Sequence, residues 1–246
     1  MAEFIYQMYQ ARKAHGDKVI LDDVTLSFYP GAKIGVVGPN GMGKSTLLKA
    51  VAGFITPSEG EIRLQGQAVR APGPDRIVVF QEFDQLPPWK TVRQNVLFPL
   101  RVSGQVTRDE AERRADECLE KVGLAGFAEA YPHTLSGGMK ARVAIARALA
   151  MQPKILLMDE PFAALDALTR RKMQEELLRL WEEVRFTLLF VTHSIEEALV
   201  VGNRILLLSP HPGRVRAEVH GHPFGLHSLG GEPLQAAARR IHRLLF

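Results

Sequence analysis

The chain contains almost no cysteine: Cys118 is the single one among 246 residues. A lone thiol excludes an internal disulfide framework and a zinc site built from several cysteines. No apolar run approaches the ~18 residues that a membrane-spanning helix needs. The N-terminus has no basic stretch followed by an apolar one, so no secretory signal is visible and the cytosol is the default compartment.

An excess of one charge is also lacking. Lysine and arginine total 31 against 27 aspartate and glutamate residues, which gives a net charge of +4. This excess is small and scattered, so we expect no nucleic acid among the partners. Internal repeats and low-complexity tracts are absent. With 46% apolar and 24% charged residues, the composition is that of a globular protein.

Short apolar runs typical of strands alternate with helical patterns along the chain. The candidate strands are 19–28, 33–37, 61–64, 76–80, 154–158, 187–191 and 204–208. The runs beginning at Ile34, Ile77, Ile155 and Leu188 are apolar throughout, which is typical of strands buried on both faces in a parallel sheet. The sequence therefore predicts an α/β fold with a doubly wound core.

Amphipathic helical patterns occupy 108–122, 168–184 and 234–245. Cys118 falls on the apolar face of the first, so we interpret it as a packed thiol rather than a reactive one. Helical patterns without a convincing strand fill about 87–149, which predicts a helical sub-domain inserted in the α/β core. We expect one domain over 1–220, and then a glycine-rich linker and an amphipathic helix in 221–246.

One glycine-rich segment leads from an apolar strand into a helix. It reads Gly38-Pro39-Asn40-Gly41-Met42-Gly43-Lys44-Ser45-Thr46 and fits the pattern G-x-x-x-x-G-K-[ST]. Its glycines allow backbone N–H groups to point at phosphate oxygens, and the helix N-terminus adds partial positive charge. Lys44 should reach the β- and γ-phosphates, and the Ser45 hydroxyl should bind Mg²⁺. The segment therefore predicts a nucleotide site that needs Mg²⁺.

A second apolar strand ends in two carboxylates, Asp159 and Glu160. Ligands of open α/β sheets bind at the carboxyl ends of the strands. Asp159 can hold Mg²⁺ there, directly or through water, and Glu160 is placed to orient or polarise an attacking water. The alternative is an acidic pair that caps a helix, and the phosphate loop upstream makes it the weaker interpretation.

Together with the segment Leu135-Ser136-Gly137-Gly138, these two motifs make the chain resemble the ABC ATPase family over about residues 10–215. Gln81, Asp166 and His193 follow in the family's order. The resemblance implies an ATPase that uses ATP and Mg²⁺, with an N-terminal antiparallel β portion. It also implies that Gln81 contacts the nucleotide and binds Mg²⁺, and that His193 acts beside the γ-phosphate.

The segment Ser136-Gly137-Gly138 opens a helix and so forms a second anion-binding helix N-terminus. In the family this end and the phosphate loop lie on opposite sides of the domain, so one nucleotide cannot use both in one chain. The resemblance therefore implies a head-to-tail homodimer or heterodimer, in which this segment and Asp166 of one subunit face the ATP of the other. The alternative is an ordinary capped turn.

Within the family, residues 80–96 and 208–215 resemble the importer ATPases for nitrate, sulfonate and taurine. This implies transmembrane permease subunits, a solute-binding protein that acts indirectly, and a place at the cytoplasmic face of the inner membrane. Leu86 and Trp89 follow the Gln81 loop, where the family's ATPases receive a short helix of the membrane subunit, and are the predicted permease contact. The alternative is that Trp89 anchors the core of the helical sub-domain.

Two features depart from the importer pattern. The family stacks adenine on an aromatic residue upstream of the phosphate loop, and His15 takes that place here, with Tyr6 or Tyr9 as alternatives. The first ~40 residues resemble instead an ABC-F translation factor, which acts on ribosomes without a membrane partner. A ribosome-associated regulator of translation is therefore the alternative function, and an ATP-dependent switch without a transport role is a third.

Overall fold

The computed structural model describes residues 4–80, 85–163, 165–221 and 224–245, which form two compact units. The first unit comprises the described parts of Met1–Gly73, Leu157–Glu160 and Phe186–Phe246. The second comprises those of Pro74–Leu156 and Pro161–Arg185. Among the helices of these ranges, none combines the length and the apolar character that crossing a membrane requires.

In chain order the strands are β1 (Tyr6–His15), β2 (Lys18–Phe28), β3 (Lys33–Val37), β4 (Glu59–Leu64), β5 (Gln67–Ala68), β6 (Arg76–Val79), β7 (Ile155–Asp159), β8 (Thr187–Thr192), β9 (Arg204–Leu208) and β10 (Val215–His220). The helices are α1 (Lys44–Ala52), α2 (Val92–Ser103), α3 (Arg108–Lys121), α4 (Gly137–Ala150), α5 (Ala167–Val184), α6 (Ile195–Val201) and α7 (Glu232–Leu245). Short 3₁₀ turns occur at Ala125–Phe127, Pro132–Thr134 and Leu226–Ser228.

An antiparallel sheet in the first unit has the strand order β2-β1-β4-β5. β1 and β2 form a hairpin in which Tyr6 pairs with Phe28 and His15 pairs with Lys18. Gly16, in the turn, has a φ of +57°, a value that glycine adopts without steric cost. The antiparallel β portion predicted at the N-terminus is confirmed.

The second sheet of this unit places β3 between β9 and β8, with β7 beyond β8 and β10 outside β9. β3 is parallel to both neighbours, and its last residue, Val37, pairs with Thr192 of β8 and Leu207 of β9. These strands are buried almost throughout, which accounts for their unbroken apolar runs. The predicted parallel sheet is confirmed, and the loops after β3 and β8 leave it at the same edge.

A hydrophobic cluster fixes the C-terminal helix to this sheet. Leu199 of α6 and Leu207 of β9 belong to it, together with Leu234, Ile241 and Leu245 of α7. The apolar stripe of α7 is therefore buried in the first unit, which leaves its polar side to solvent.

The second unit contains β6 and a group of helices in which α2, α3 and α4 pack against one another and α4 contacts α5. A side-chain oxygen caps the start of each helix, from Thr91, Thr107, Ser136 and Asp166 respectively. Cys118 is buried on α3, and burial raises the pKa of its thiol to about 11, as the interpretation of a packed thiol requires. The unit includes the predicted helical sub-domain and extends beyond it to Arg185.

Candidate active site

The phosphate loop runs from the end of β3 to the start of α1. Gly41 and Gly43 both have a φ of +85°, so two left-handed residues turn the backbone before the helix begins. No side chain caps the first turn of α1, which leaves its N–H groups to face an anion. The backbone of this loop is therefore suited to bind phosphate.

Lys44 lies at the base of this loop. Its side chain is 5% exposed, and the ammonium group donates a hydrogen bond to the Gly38 carbonyl. Its Nζ atom is 3.8 Å from a carboxylate oxygen of Glu160. Burial lowers the pKa of Lys44, while the carboxylates of Glu160 and Asp159 oppose that shift. A bound phosphate chain would favour the charged form of this cation further.

Ser45 and Asp159 bring two oxygen donors together. The Ser45 hydroxyl donates to Asp159 Oδ1 at 3.2 Å. Burial is the main cause that raises the pKa of Asp159, and the hydrogen bond from Ser45 opposes it. A hydroxyl and a carboxylate are the hard oxygen ligands that Mg²⁺ prefers, and a divalent cation would relieve the cost of this partly buried charge. The two residues therefore fit a Mg²⁺ ion.

Glu160 and His193 lie beside this pair, at the ends of β7 and β8. Glu160 has a φ of +46°, and its backbone N–H donates to the Val191 carbonyl at 3.0 Å. A left-handed glutamate is uncommon, and such strained residues cluster at functional sites. Glu160 Oε2 lies within hydrogen-bond distance of the His193 ring. The first unit thus gathers Lys44, Ser45, Asp159, Glu160 and His193 at one edge of its sheet.

A buried glutamate that the sequence analysis missed supports the end of β8. Glu197 of α6 is 8% exposed and accepts a hydrogen bond of 2.6 Å from the Thr192 hydroxyl. Thr192 Oγ1 in turn accepts from the Ser194 backbone N–H. These bonds hold the residues on both sides of His193, so Glu197 helps to position the histidine.

The three candidates for adenine stacking differ in exposure. Tyr6 is fully buried, and its ring stacks on Phe28 with the centroids 5.3 Å apart, so the structure excludes Tyr6. Tyr9 is 57% exposed on β1. His15 is exposed at the hairpin turn. His15 and Tyr9 therefore stay open as candidates.

The second unit carries the remaining predicted residues. The Ser136 hydroxyl accepts the Met139 N–H and caps α4, and Gly137 and Gly138 form its first turn. A Cβ on Gly138 would lie 3.0 Å from the Thr169 methyl carbon. Asp166 caps α5, and hydrogen bonds from Thr169 hold its pKa below the ordinary range. Both segments are thus ordered helix starts within one unit.

The predicted permease contact divides into one buried residue and one exposed residue. Leu86 is 2% exposed, so its side chain does not present a surface and its assignment as a contact is corrected. Trp89 is 74% exposed, which excludes the alternative that it anchors the core. Gln81 lies outside the described residues.

Two polar residues that the sequence analysis missed, one buried and one partly buried, fix the segment around Trp89. The Asn95 amide, fully buried on α2, points its nitrogen at the carbonyls of Pro87, Lys90 and Thr91 at 3.0–3.3 Å. Arg147 of α4 donates to the Gln85 carbonyl and side-chain oxygen, both at 2.9 Å. The segment 85–91 is therefore held in place rather than loose. A lone asparagine within an apolar helical stripe was the available signal.

Comparison with known proteins places these features in context. A family profile described as ABC transporter matches residues 21–163. The taurine import ATP-binding protein TauB of Sinorhizobium fredii is 48% identical over 241 residues, which span 96% of this chain and 89% of that protein. The nitrate import ATP-binding protein NrtD of Synechococcus elongatus is 46% identical over 210 residues, which span 85% and 76%.

Solved structures agree with these matches. A dimeric post-hydrolysis state of an ATP-binding cassette bound to ADP and Pi superposes with a TM-score of 0.73 at 35% identity, over 87% of this chain and 98% of that one. The similarity to the S. fredii protein covers 96% of the chain, so it includes most of the first ~40 residues. The resemblance of those residues to an ABC-F translation factor finds no support.

Proposed function

This chain belongs to the ABC transporter family, and from that premise we propose that it is the ATP-hydrolysing subunit of an importer for a small solute such as nitrate, a sulfonate or taurine. It acts as a homodimer or heterodimer at the cytoplasmic face of the inner membrane. Its partners are transmembrane permease subunits, to which a solute-binding protein delivers the solute. The similarity to taurine and nitrate import ATP-binding proteins supports the transport part of this proposal.

The hydrolytic part rests on one observation, the cluster of Lys44, Ser45, Asp159, Glu160 and His193 in the first unit. The N–H groups of the phosphate loop and Lys44 bind the phosphate chain. Glu160 accepts a proton from the water that attacks the γ-phosphorus, while the bond from that phosphorus to ADP breaks. Ser45 and Asp159 would hold Mg²⁺, which when bound would supply positive charge to the phosphates.

His193 has an orienting role in this scheme. Its ring lies beside the Glu160 carboxylate and is half exposed, so it can also reach a γ-phosphate. Orienting Glu160 and reaching the γ-phosphate both involve residues of the first unit alone. Both also need Glu160 to keep its left-handed backbone conformation, which directs its side chain toward the phosphate loop.

The proposed dimer interface includes the start of α4 at Ser136. Gly137 and Gly138 leave that start without side chains, so a phosphate of the other subunit's ATP can approach the N–H groups of α4. Asp166 contributes from the start of α5. The dimeric arrangement of a similar cassette supports this part.

The permease contact centres on Trp89. Phe98 and Val102 of α2 are 44% and 70% exposed and lie one helical turn apart. The Lys90 ammonium sits 5.0 Å from the centre of the Phe98 ring, next in sequence to Trp89. Exposed apolar side chains in such a group are typical of a protein interface, and an apolar permease segment is the partner that fits.

Deleting the gene in the source organism tests the proposal. Growth on taurine or another sulfonate as sulfur source, or on nitrate as nitrogen source, should fail, and the wild-type gene should restore it. Lys44→Ala and Glu160→Gln should not restore growth. Unchanged growth on all these sources, or wild-type protein that sediments with ribosomes and not with membranes, would overturn the importer function.

A further inference from the structure

The hairpin between β9 and β10 has a tip, residues 209–214, that none of the phosphate-binding motifs includes. It is anchored on β2: the Gly213 N–H donates to the Ile20 carbonyl at 2.8 Å, and the Asp22 N–H donates to the Gly213 carbonyl at 3.1 Å. Arg214 forms an ion pair with Asp22. The tip also bonds internally, since the Ser209 hydroxyl donates to the Pro212 carbonyl at 2.8 Å.

From this anchored position the hairpin lies against the phosphate loop. A Cβ built on Gly213 would be 2.3 Å from the Met42 carbonyl oxygen. A Cβ built on Gly41 would be 3.5 Å from His211 Nε2. One built on Gly38 would be 3.3 Å from the carbonyl oxygen of Leu208, where β9 ends. The hairpin and the phosphate loop thus approach each other closely at three places.

We propose that the hairpin tip is a positioning element of the nucleotide site, in which Gly213 and His211 hold the phosphate loop in its binding conformation. The proposal rests on the proposed ATP-binding function of that loop. Gly41 and Gly43 adopt left-handed conformations that a glycine-rich chain leaves easily. Contact with an anchored hairpin restricts those alternatives before ATP arrives, and preorganisation of this kind raises affinity.

The two residues act in different ways. Gly213 allows the main chains of hairpin and loop to touch, because any side chain there would push the Met42 carbonyl away. The His211 ring fills the space beside Gly41, and both residues are otherwise exposed to solvent. Loss of the ring therefore frees the exposed part of the loop without opening the core.

The chain offers a matched control for each substitution. Gly213→Ala brings a methyl group to 2.3 Å from the carbonyl of Met42, and Gly221→Ala brings one to 2.2 Å from the carbonyl of Gly202, away from the loop. Neither glycine has a positive φ, so alanine suits the backbone of both. His227 is an exposed histidine outside the hairpin and serves as the control for His211.

The test is the Kd for MgATP of the whole chain, measured by calorimetry, with thermal unfolding of the nucleotide-free protein beside it. Gly213→Ala should weaken binding at least five-fold and His211→Ala two- to five-fold, at unfolding temperatures like those of Gly221→Ala and His227→Ala. His211→Gln should restore part of the affinity, since its planar amide can fill the space.

The outcomes separate this proposal from the ATP-binding function itself. Affinities of Gly213→Ala and His211→Ala equal to those of their controls would overturn the positioning role while ATP binding stands. Wild-type protein that does not bind MgATP would overturn both. If Gly213→Ala fails to fold, His211→Ala decides alone, because its side chain lies outside the core.

Discussion

The Glu160 carboxylate and the His193 imidazole lie 3.1 Å apart, from Oε2 to Nδ1, although 33 positions separate them in the sequence. They meet because β7 and β8 are neighbours and each residue follows the end of its strand. Strand order, and not sequence spacing, therefore brings these two side chains together, with Glu160 also 3.8 Å from Lys44.

Replacing Glu160 with glutamine should slow phosphate release at least ~100-fold, because an amide keeps the shape of the carboxylate but accepts no proton. ATP binding should survive, since the substitution removes a negative charge near the phosphates. Steady-state phosphate release and MgATP binding measure the two effects, and the mass of the ATP-bound protein reports a trapped dimer.

His193→Ala should slow turnover as well, because the carboxylate loses the ring that orients it. Glu183→Gln is the control, since Glu183 is exposed on α5 and should leave turnover unchanged. Two results would contradict the role of Glu160 as a base. One is turnover by Glu160→Gln at the wild-type rate, and the other is a Glu160→Gln variant that loses ATP binding as well as turnover.

Asp159→Asn should raise the unfolding temperature of the protein at pH 7, without nucleotide or Mg²⁺. Burial raises the pKa of Asp159 above its ordinary 3.8, so the native state binds this proton more tightly than the unfolded state. The stabilisation by this tighter proton binding is complete below pH 3.8 and is lost as pH rises through the native pKa, where the partly buried charge begins to cost free energy. Asparagine carries no such charge.

Thermal unfolding of wild type and variant between pH 4 and pH 8 checks this sign. The difference in unfolding temperature between Asp159→Asn and wild type should shrink toward pH 4. Mg²⁺ should stabilise wild type more than the variant. Asp166→Asn is the contrasting control: hydrogen bonds lower the pKa of Asp166, so its charge favours folding at pH 7. A lower unfolding temperature for Asp159→Asn at pH 7 would refute the prediction.

The buried sheet could be predicted closely from the sequence. β3 and β9 have the predicted bounds, Lys33–Val37 and Arg204–Leu208, because continuous burial leaves an unbroken apolar run. β1 was missed, since register shifts after Met8 break the alternation that marks a half-buried strand. β10 was missed because it is an edge strand whose side chains are only partly buried.

The site residues were predictable where a motif fixes the backbone. The glycines and the lysine of the phosphate loop, and the carboxylates that follow a strand, belong to motifs whose spacing determines where these residues lie in the fold. Burial of single side chains was not predictable: Leu86 and Trp89 are both apolar and three positions apart, yet one is buried and the other exposed. Long-range packing decides such cases, as it does for Asn95 and Glu197.

Trp89→Glu should leave folding and ATP binding of the isolated chain intact and should abolish assembly with the permease, because an exposed ring is lost without disturbing the core. Leu86→Glu should instead lower the free energy of unfolding by about 3 kcal/mol or more, since it places a charge in an apolar interior. Urea unfolding, MgATP binding and co-purification of the permease measure these effects.

Phe54→Glu is the matched control for that experiment, because Phe54 is an exposed aromatic residue in the first unit, 54% accessible. It should leave assembly unchanged. Normal assembly and transport by Trp89→Glu would remove this residue from the contact.

Asn95→Ala should loosen the segment that carries Trp89. The amide nitrogen of Asn95 is the shared donor for three backbone carbonyls. Those of Pro87 and Thr91 also accept backbone N–H groups, so removing the amide leaves the Lys90 carbonyl without this donor, at a cost of about 1 kcal/mol. Asn95→Asp should cost more, since it turns a carboxylate oxygen toward the same carbonyls. Fluorescence anisotropy of Trp89, in a Trp181→Phe background, reports the local effect and should fall in Asn95→Ala.

Asn203→Ala separates this local effect from general destabilisation. Asn203 accepts the Lys33 N–H at 2.9 Å in the first unit, so its loss should lower stability and leave the anisotropy of Trp89 unchanged. If Asn95→Ala keeps the wild-type anisotropy, the three hydrogen bonds do not order the segment. If it lowers the anisotropy, permease assembly should weaken with it, because a loosened Trp89 has to be ordered again on binding.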